Sequence, residues 1–340
     1  MKPHCFFTSF NKAYLPQALL LAESLRHVYG GKAILVAILV DELTAEDRPG
    51  FEAFSRTIEA SALGIPNFHS WIFGLDVVEA ATAVKPFALS ALLREYQQVT
   101  YLDPDTYLFS PLAEIEATDS AFDAVVTPHQ IYPQREKWLV ESTELESMRY
   151  GVFNLGFLSV RSSTGGREIA DWWARRCYSY CVVDFPNGLF TDQKLFDLAP
   201  ALFPGLRVLR HPGYNLATWN LRERRVAFSS SEGPTVDGQP LRFCHFTKAS
   251  HIGNEAMERM ISEESAFFQE LFYSYVARLR GRRLEMAFLN ADWAYGRYRS
   301  GPWIAGETRQ AFRKLGEKRF AIENPFEAQE AVERMIAGAG

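Results

Sequence analysis

The run Ala33-Ile34-Leu35-Val36-Ala37-Ile38-Leu39-Val40, eight apolar residues ending at Asp41, is the feature that most constrains how this chain can fold. A strand with one wet face alternates apolar and polar residues. An unbroken run of this length instead describes a strand covered on both faces, the condition of a largely parallel sheet lying between helices. The neighbouring pattern agrees. Cys5 to Thr8 reads as a short strand, and Leu15, Ala18, Leu19, Ala22 and Leu25 recur on one helical face, with Asn11 placed to cap that helix. Beyond Asp41 the sequence predicts a charged helix over 45–59, a strand around Trp71, a helix over 84–96 and a strand over 98–102 that delivers Asp103 at its C-terminal end. Such a β-α-β-α order is an open α/β sheet, and ligands bind these sheets just beyond the strand C-termini.

After Ser110-Pro111 the texture loosens. A strand is expected over 123–126, then a polar, Pro-containing loop over 127–150 lying across the site. A strand over 151–160 follows, then a helix through Trp172 and Trp173, a short helix over 192–198, a strand over 241–246 and a helix over 255–280. No fixed-period repeat appears, which excludes solenoids.

The formal net charge of −5 argues against a general nucleic-acid binder, because phosphate contacts need clustered Lys and Arg. The charge is uneven: residues 278–320 carry +7 and the rest −12. A basic stretch bearing Trp and Tyr on an acidic body suits peripheral contact with anionic lipid or a charged acceptor; a solvated basic face packed by its aromatics explains it equally. Cys5, Cys177, Cys181 and Cys244 are too few for a disulfide scaffold and read as reduced core thiols. Asn11 and Lys12 interrupt the N-terminal apolar stretch below signal-peptide length, and no run reaches membrane-span length, so the expected location is the cytoplasm, with a peripheral position at the inner membrane face as the variant.

No G-x-G-x-x-G, G-x-x-x-x-G-K-[ST] or G-x-S-x-G occurs, so neither a Gly-rich phosphate turn nor a serine-hydrolase elbow supplies the chemistry. The chemical signal is Tyr101-Leu102-Asp103-Pro104-Asp105-Thr106, two carboxylates two residues apart at a strand end. Two residues apart in an extended segment is the same side, and carboxylates so placed repel unless a divalent cation joins them. Mg²⁺ and Mn²⁺ favour this arrangement together with diphosphate oxygens. A simple turn with Asp103 as its cap is the competing reading of the local sequence.

Set in order along the chain, these segments resemble the nucleotide-sugar glycosyltransferases of the GT-A fold, close in layout to the retaining family-8 enzymes. Phe7-Thr8-Ser9-Phe10-Asn11-Lys12-Ala13-Tyr14 resembles the family's first strand and nucleoside-contacting turn. Val99 to Thr106 is similar to its D-x-D strand. Phe153-Asn154-Leu155-Gly156 resembles its F-N-x-G strand, Thr191-Asp192-Gln193 its D-Q pair beside the anomeric carbon, and Phe243-Cys244-His245-Phe246 the strand whose His completes the metal shell. The likeness covers about residues 5–250. The family usually follows its His with Gly and then Lys-Pro-Trp, whereas here His245-Phe246-Thr247-Lys248 offers a Lys at once. Trp293-Ala294-Tyr295-Gly296-Arg297 is similar to the tails of some bacterial polysaccharide glycosyltransferases.

The resemblance implies a GT-A-like α/β fold with an open, mostly parallel sheet and a helical C-terminal region. It divides the chain into a nucleotide-sugar half (1–126), an acceptor-side half (127–250) and a helical, basic, aromatic region (251–340). Asp103, Asp105 and His245 would hold Mn²⁺ or Mg²⁺. Thr8, Ser9, Asn11 and Tyr14 would contact the nucleoside of a donor that is expected to be UDP-linked, and Asn154 and Gly156 would lie near the sugars. Asp192 and Gln193 would flank the reacting carbon, while Lys85 and Lys248 would steady charge on the carboxylates and phosphates. The acceptor would be a hydroxyl of a glycan, a lipid-linked sugar or a protein. Rival readings are a sugar-1-phosphate nucleotidyltransferase, whose Gly-rich basic loop is absent here, and a non-catalytic scaffold of the same fold.

Overall fold

The computed structural model describes residues 2–116, 122–231, 233–249 and 251–339. Strand β1 (Lys2–Phe10) runs parallel to β2 (Leu35–Leu39), and β2 runs parallel to β3 (Arg56–Glu59). All five residues of β2 are buried, as the unbroken apolar run requires. On its other side β1 pairs in parallel with β4 (Tyr96–Leu102). The chain continues through β5 (Thr106–Leu108) and β6 (Ala124–Pro128) to β7 (Phe153–Arg161), which lies antiparallel between β4 and β6. A hairpin, β8 (Val183–Asp184) and β9 (Leu189–Phe190), stands outside the sheet, and β10 (Leu206–Val208) closes the far edge parallel to β6. The order β10-β6-β7-β4-β1-β2-β3 is the open, mostly parallel sheet expected. Beyond it, β11 (Val226–Ser229), β12 (Gly233–Val236) and β13 (Gln239–Pro240) form a small antiparallel sheet, and β14 (Phe243–His245) pairs with β5.

Several local expectations are corrected. No helix spans 45–59: Pro49-Gly50 limits it to a 3-10 turn, Arg48–Phe51, and the β-branched pair Thr57-Ile58 joins the sheet as part of β3. Trp71 lies in the helix Phe68–Phe73 rather than a strand, since a short apolar run carries no periodicity to separate the two. The helix expected over 84–96 is shorter, Lys85–Leu92, with Tyr96 already in β4, and a helix that was not expected, Val77–Ala83, precedes it. Asn11 makes no side-chain cap; the first long helix, Leu15–Tyr29, starts instead after Tyr14 with Pro16 in its first turn. Residues 127–150 are not loop throughout, because helical turns run through Lys137–Leu139, Val140–Glu144 and Leu145–Tyr150. The expected strand over 241–246 shortens to β14.

Two hydrophobic layers sandwich the sheet, and a third cluster packs beneath the helices His251–Met260 and Phe267–Glu285. Trp172 and Trp173 are core residues on the helix Thr164–Tyr180. All four cysteines are buried and unbridged. The basic C-terminal stretch keeps most of its rings inside: Trp293, Tyr295, Tyr298 and Phe312 are buried in the same layer as Trp71 and Phe73, while Phe288 and Trp303 remain exposed. Trp293 Nε1 donates to Val40 O at 2.8 Å, so this stretch closes over the end of β2. Among the described residues no helix is long and apolar enough to cross a membrane.

Candidate functional site

Strand β4 ends at Leu102, and the chain turns at once: Thr106 N and Oγ1 both donate to Asp103 O, at 3.0 and 2.8 Å. The turn reading is therefore correct for the backbone, yet the Asp103 side chain caps nothing. It is freed to accept from Tyr101 Oη at 2.5 Å and to meet Lys85 Nζ at 3.3 Å. The turn also starts β5, whose antiparallel partner β14 sets His245 opposite Thr106. Phe246 N donates to Asp105 O at 2.8 Å and fixes this register. Two residues separated by some 140 positions in sequence thus share one wall: His245 Nε2 lies 3.1 Å from Asp105 Oδ1 and 3.6 Å from Asp103 Oδ2.

Strand β7 supplies the facing side. Asp103 N donates to Gly156 O at 2.9 Å, and Asn154 Oδ1 accepts from Gly156 N at 3.0 Å. The bare glycine at 156 lets these groups converge, because a Cβ there would stand 2.5 Å from His245 Cε1, 2.7 Å from Asn154 Oδ1 and 2.8 Å from Asp103 Oδ2 and push them apart. Asp103, Asp105 and His245 each offer one ligand atom, all within 4.8 Å of one another. Two carboxylates and an imidazole are hard-to-borderline donors suited to a divalent cation such as Mn²⁺, and the missing side chain at 156 leaves room beside them. The residues fit the ion that the D-x-D pattern implies.

A buried ionic group sits behind this cluster. Lys85 opens the helix Lys85–Leu92, is 3% exposed, and its Nζ lies 3.2 Å from Asp192 Oδ2 as well as against Asp103. The ammonium also donates to Leu155 O and rests over the Tyr101 ring. Burial alone would push the lysine down, but the Asp103 and Asp192 carboxylates outweigh it and hold its pKa well above the usual value. For Asp103 burial is likewise outweighed, by Lys85 and His245, and its carboxyl is held below the ordinary range. For Asp192 burial prevails, aided by Asp103, and its pKa is raised. For His245 burial is overcome by Asp105 and Asp103, which raise its pKa.

These groups line one cleft of about 920 Å³. Of the residues singled out from sequence, Ser9, Asn11, Tyr14, Lys85, Asp103, Asp105, Asn154, Gly156, Asp192, Gln193, His245 and Lys248 all border it. Thr8 does not border it: strand alternation turns its fully buried side chain to the opposite face from Ser9, whose Oγ donates to Ala81 O. Gln193 is held at both ends of its amide, accepting from Leu155 N at 3.1 Å and donating to Tyr150 O at 3.0 Å. Thr191, before Asp192, has φ of +45°, a left-handed conformation costly for a β-branched residue.

Sequence reasoning missed four residues. Tyr101 lies two positions before Asp103 on the same strand face, a spacing that could have found it. His129, just past the end of β6, meets Asn154 Nδ2 at 3.1 Å and holds a strand-end position of the kind that binds ligands. Asn215, 3.3 Å from His245 Nδ1, and Trp219, edge-on to the His245 ring, carry no local signal.

No protein-family model matches this chain. It is 28% identical over 176 residues to the uncharacterized protein YfnF of Bacillus subtilis (strain 168), covering 51% of this chain and 57% of that protein. It is 26% identical over 227 residues to YfnD of the same organism, covering 64% and 70%. The chain thus spans a little over half the length of the first relative. Among solved structures it is similar in fold to the galactosyltransferase LgtC in complex with donor and acceptor sugar analogs (12% identity, TM-score 0.48, 82% of this chain and 99% of that one). It is also similar to the glycosyltransferase GlyE of Streptococcus pneumoniae TIGR4 (14%, TM-score 0.43, 81% and 64%) and to mouse xyloside xylosyltransferase 1 (14%, TM-score 0.41, 73% and 98%).

Proposed function

We propose that this chain transfers a hexosyl unit from a UDP-linked sugar to a hydroxyl of a glycan, lipid-linked or protein acceptor, with retention at the anomeric carbon. The observation that carries the proposal is the convergence of Asp103 and Asp105 on His245 in the wall of a cleft large enough for a nucleotide sugar. A divalent ion held by these three residues would supply charge neutralisation for the departing diphosphate. Ser9, Asn11 and Tyr14, which border the cleft, would hold the nucleoside, and Lys248, which also borders it, would meet the phosphates. Lys85 keeps Asp103 and Asp192 in place as a buried countercharge.

The retaining reading is supported by the groups expected beside the reacting centre, while Glu141 and Glu146, which also border the cleft, are the carboxylates an inverting enzyme would use. An inverting transfer needs a carboxylate free to take the acceptor proton. Gln193 cannot act as a base, and its amide is fixed by Leu155 and Tyr150. Asp192 is 2% exposed and paired with Lys85, which restrains it from turning toward an acceptor as that base. The departing diphosphate can accept the proton on the same face, with the Gln193 amide dipole supporting positive charge at the anomeric carbon.

A panel of nucleotide sugars, incubated with Mn²⁺ or with EDTA and followed by release of the nucleoside diphosphate and by proton NMR of the fresh product, tests the reading. One donor should react only with metal and give a product of unchanged anomeric configuration. Turnover in EDTA, or a β-linked product from an α-linked donor, contradicts it.

A further inference from the structure

The C-terminal stretch does more than cover a layer of the core, because two of its arginines end on the segment Phe73–Glu79 that precedes Lys85. Arg309 Nη1 donates to Phe73 O and Leu75 O, at 3.0 and 2.9 Å, and its Nη2 to Tyr295 O. Arg313, on the helix Gly306–Lys314, donates to Gly74 O at 2.9 Å and pairs with Glu79 Oε2 at 3.1 Å. Glu79 is 6% exposed and makes three connections from one carboxylate. Oε2 takes Arg313 and also accepts from Asp76 N, closing the capping box of the helix Val77–Ala83. Oε1 accepts from Val183 N at 2.9 Å, the first residue of β8.

Two of these connections, through Asp76 and Val183, lead along the chain to residues of the cleft. The helix Val77–Ala83 runs through Val84 directly into Lys85. The hairpin β8–β9 leads to Thr191, whose N–H is held by Val182 O next to the anchored Val183, and Asp192 follows. Thr191 stays in its left-handed conformation only while its surroundings over-determine it. One buried carboxylate, oriented by an arginine some 230 positions further along the chain, therefore ties together the two segments whose side chains form the Lys85–Asp192 pair.

We propose that Glu79 and Arg313 are positioning residues: the C-terminal region sets the Lys85–Asp192 geometry, and so the rate of the chemical step, without touching donor or acceptor. The inference rests on the proposed function for its kinetic arm only. Arg313→Gln keeps much of the side chain and removes the charge. In the full-length protein this substitution should lower kcat roughly 10- to 100-fold with donor KM nearly unchanged, because a small misplacement at a reacting centre costs rate rather than binding. Arg313→Lys should restore most of the loss. Hydrogen exchange provides an arm independent of activity: amides of 182–193 and 76–85 should exchange about tenfold faster in Arg313→Gln, with β1 and β4 unchanged. Should Arg313→Gln be insoluble, Glu79→Gln, which removes the charge from the other side, takes its place with the same expectations. Unchanged exchange in both segments, or acceleration throughout the protein, overturns the proposal. So does a parallel fall in nucleotide affinity and kcat. If the wild type turns over no nucleotide sugar, the functional reading fails, and exchange alone decides the positioning role.

Discussion

At Gly156 the absence of a side chain is itself a site property. Asp103, Asn154 and His245 all approach the space a Cβ would fill, to within 2.5–2.8 Å. Gly156→Ala should leave a folded protein, because the neighbouring groups border an open cleft and can yield, but it should part His245 from the carboxylates. We expect metal-dependent thermal stabilisation to be lost and donor turnover to fall by about tenfold or more. Thermal unfolding with and without Mn²⁺, measured beside turnover, reads both effects; metal binding equal to wild type would contradict the cradle. At this scale the sequence was legible where chemistry is local. Asp103 and Asp105 declare themselves by spacing, although the chain turns between β4 and β5 there and it is this turn, not strand alternation, that brings both to one wall. His245 does not: an apolar strand with one histidine is ordinary core until β14 pairs with β5, and only the family resemblance pointed to it. Asn215 and Trp219 reach the site through loop geometry that leaves no trace in composition.

Among elements, the strands carrying the site were easier to read than the helices supporting it. The unbroken run of β2 and the apolar approach to Asp103 follow from burial on both faces. The helix expected over 45–59 fails because charge density says little about helix formation once Pro49 and Gly50 interrupt the ladder. The helix Val77–Ala83 was not expected, although its start signal stands in the sequence, Asp76 followed three residues later by Glu79, and both halves of that capping box are formed. What the sequence could not show is that Glu79 also serves Arg313 and Val183. Removing the cap alone separates these roles. Asp76→Ala should destabilise the protein by about 1 kcal/mol, as loss of an N-cap acceptor does, while Glu79 keeps its long-range partners. Urea unfolding measures this; a cost near zero would mean that tertiary packing alone holds the helix.

Over the whole molecule, residues 293–332 complete the layer on one side of the sheet. Trp293, Tyr295, Phe312, Phe326 and Val332 pack in one cluster with Trp71, Phe73 and Trp173, so the composition that suggested a lipid-facing tail is largely explained by burial. Truncation after Arg280 should therefore expose this layer and yield insoluble or non-cooperatively unfolding protein. A soluble fragment with wild-type nucleotide affinity would show the region to be dispensable. The account as a whole stands on metal-dependent recognition of a nucleoside diphosphate by Asp103, Asp105 and His245. Isothermal titration of UDP, with Mn²⁺ and with EDTA, into the wild type and Asp105→Asn tests that most directly. Binding should require the metal and weaken by about tenfold or more in the variant, which should stay folded because the relieved repulsion toward Asp103 offsets the lost attraction to His245. UDP binding that ignores EDTA, survives Asp105→Asn unchanged or does not occur at all would contradict the account.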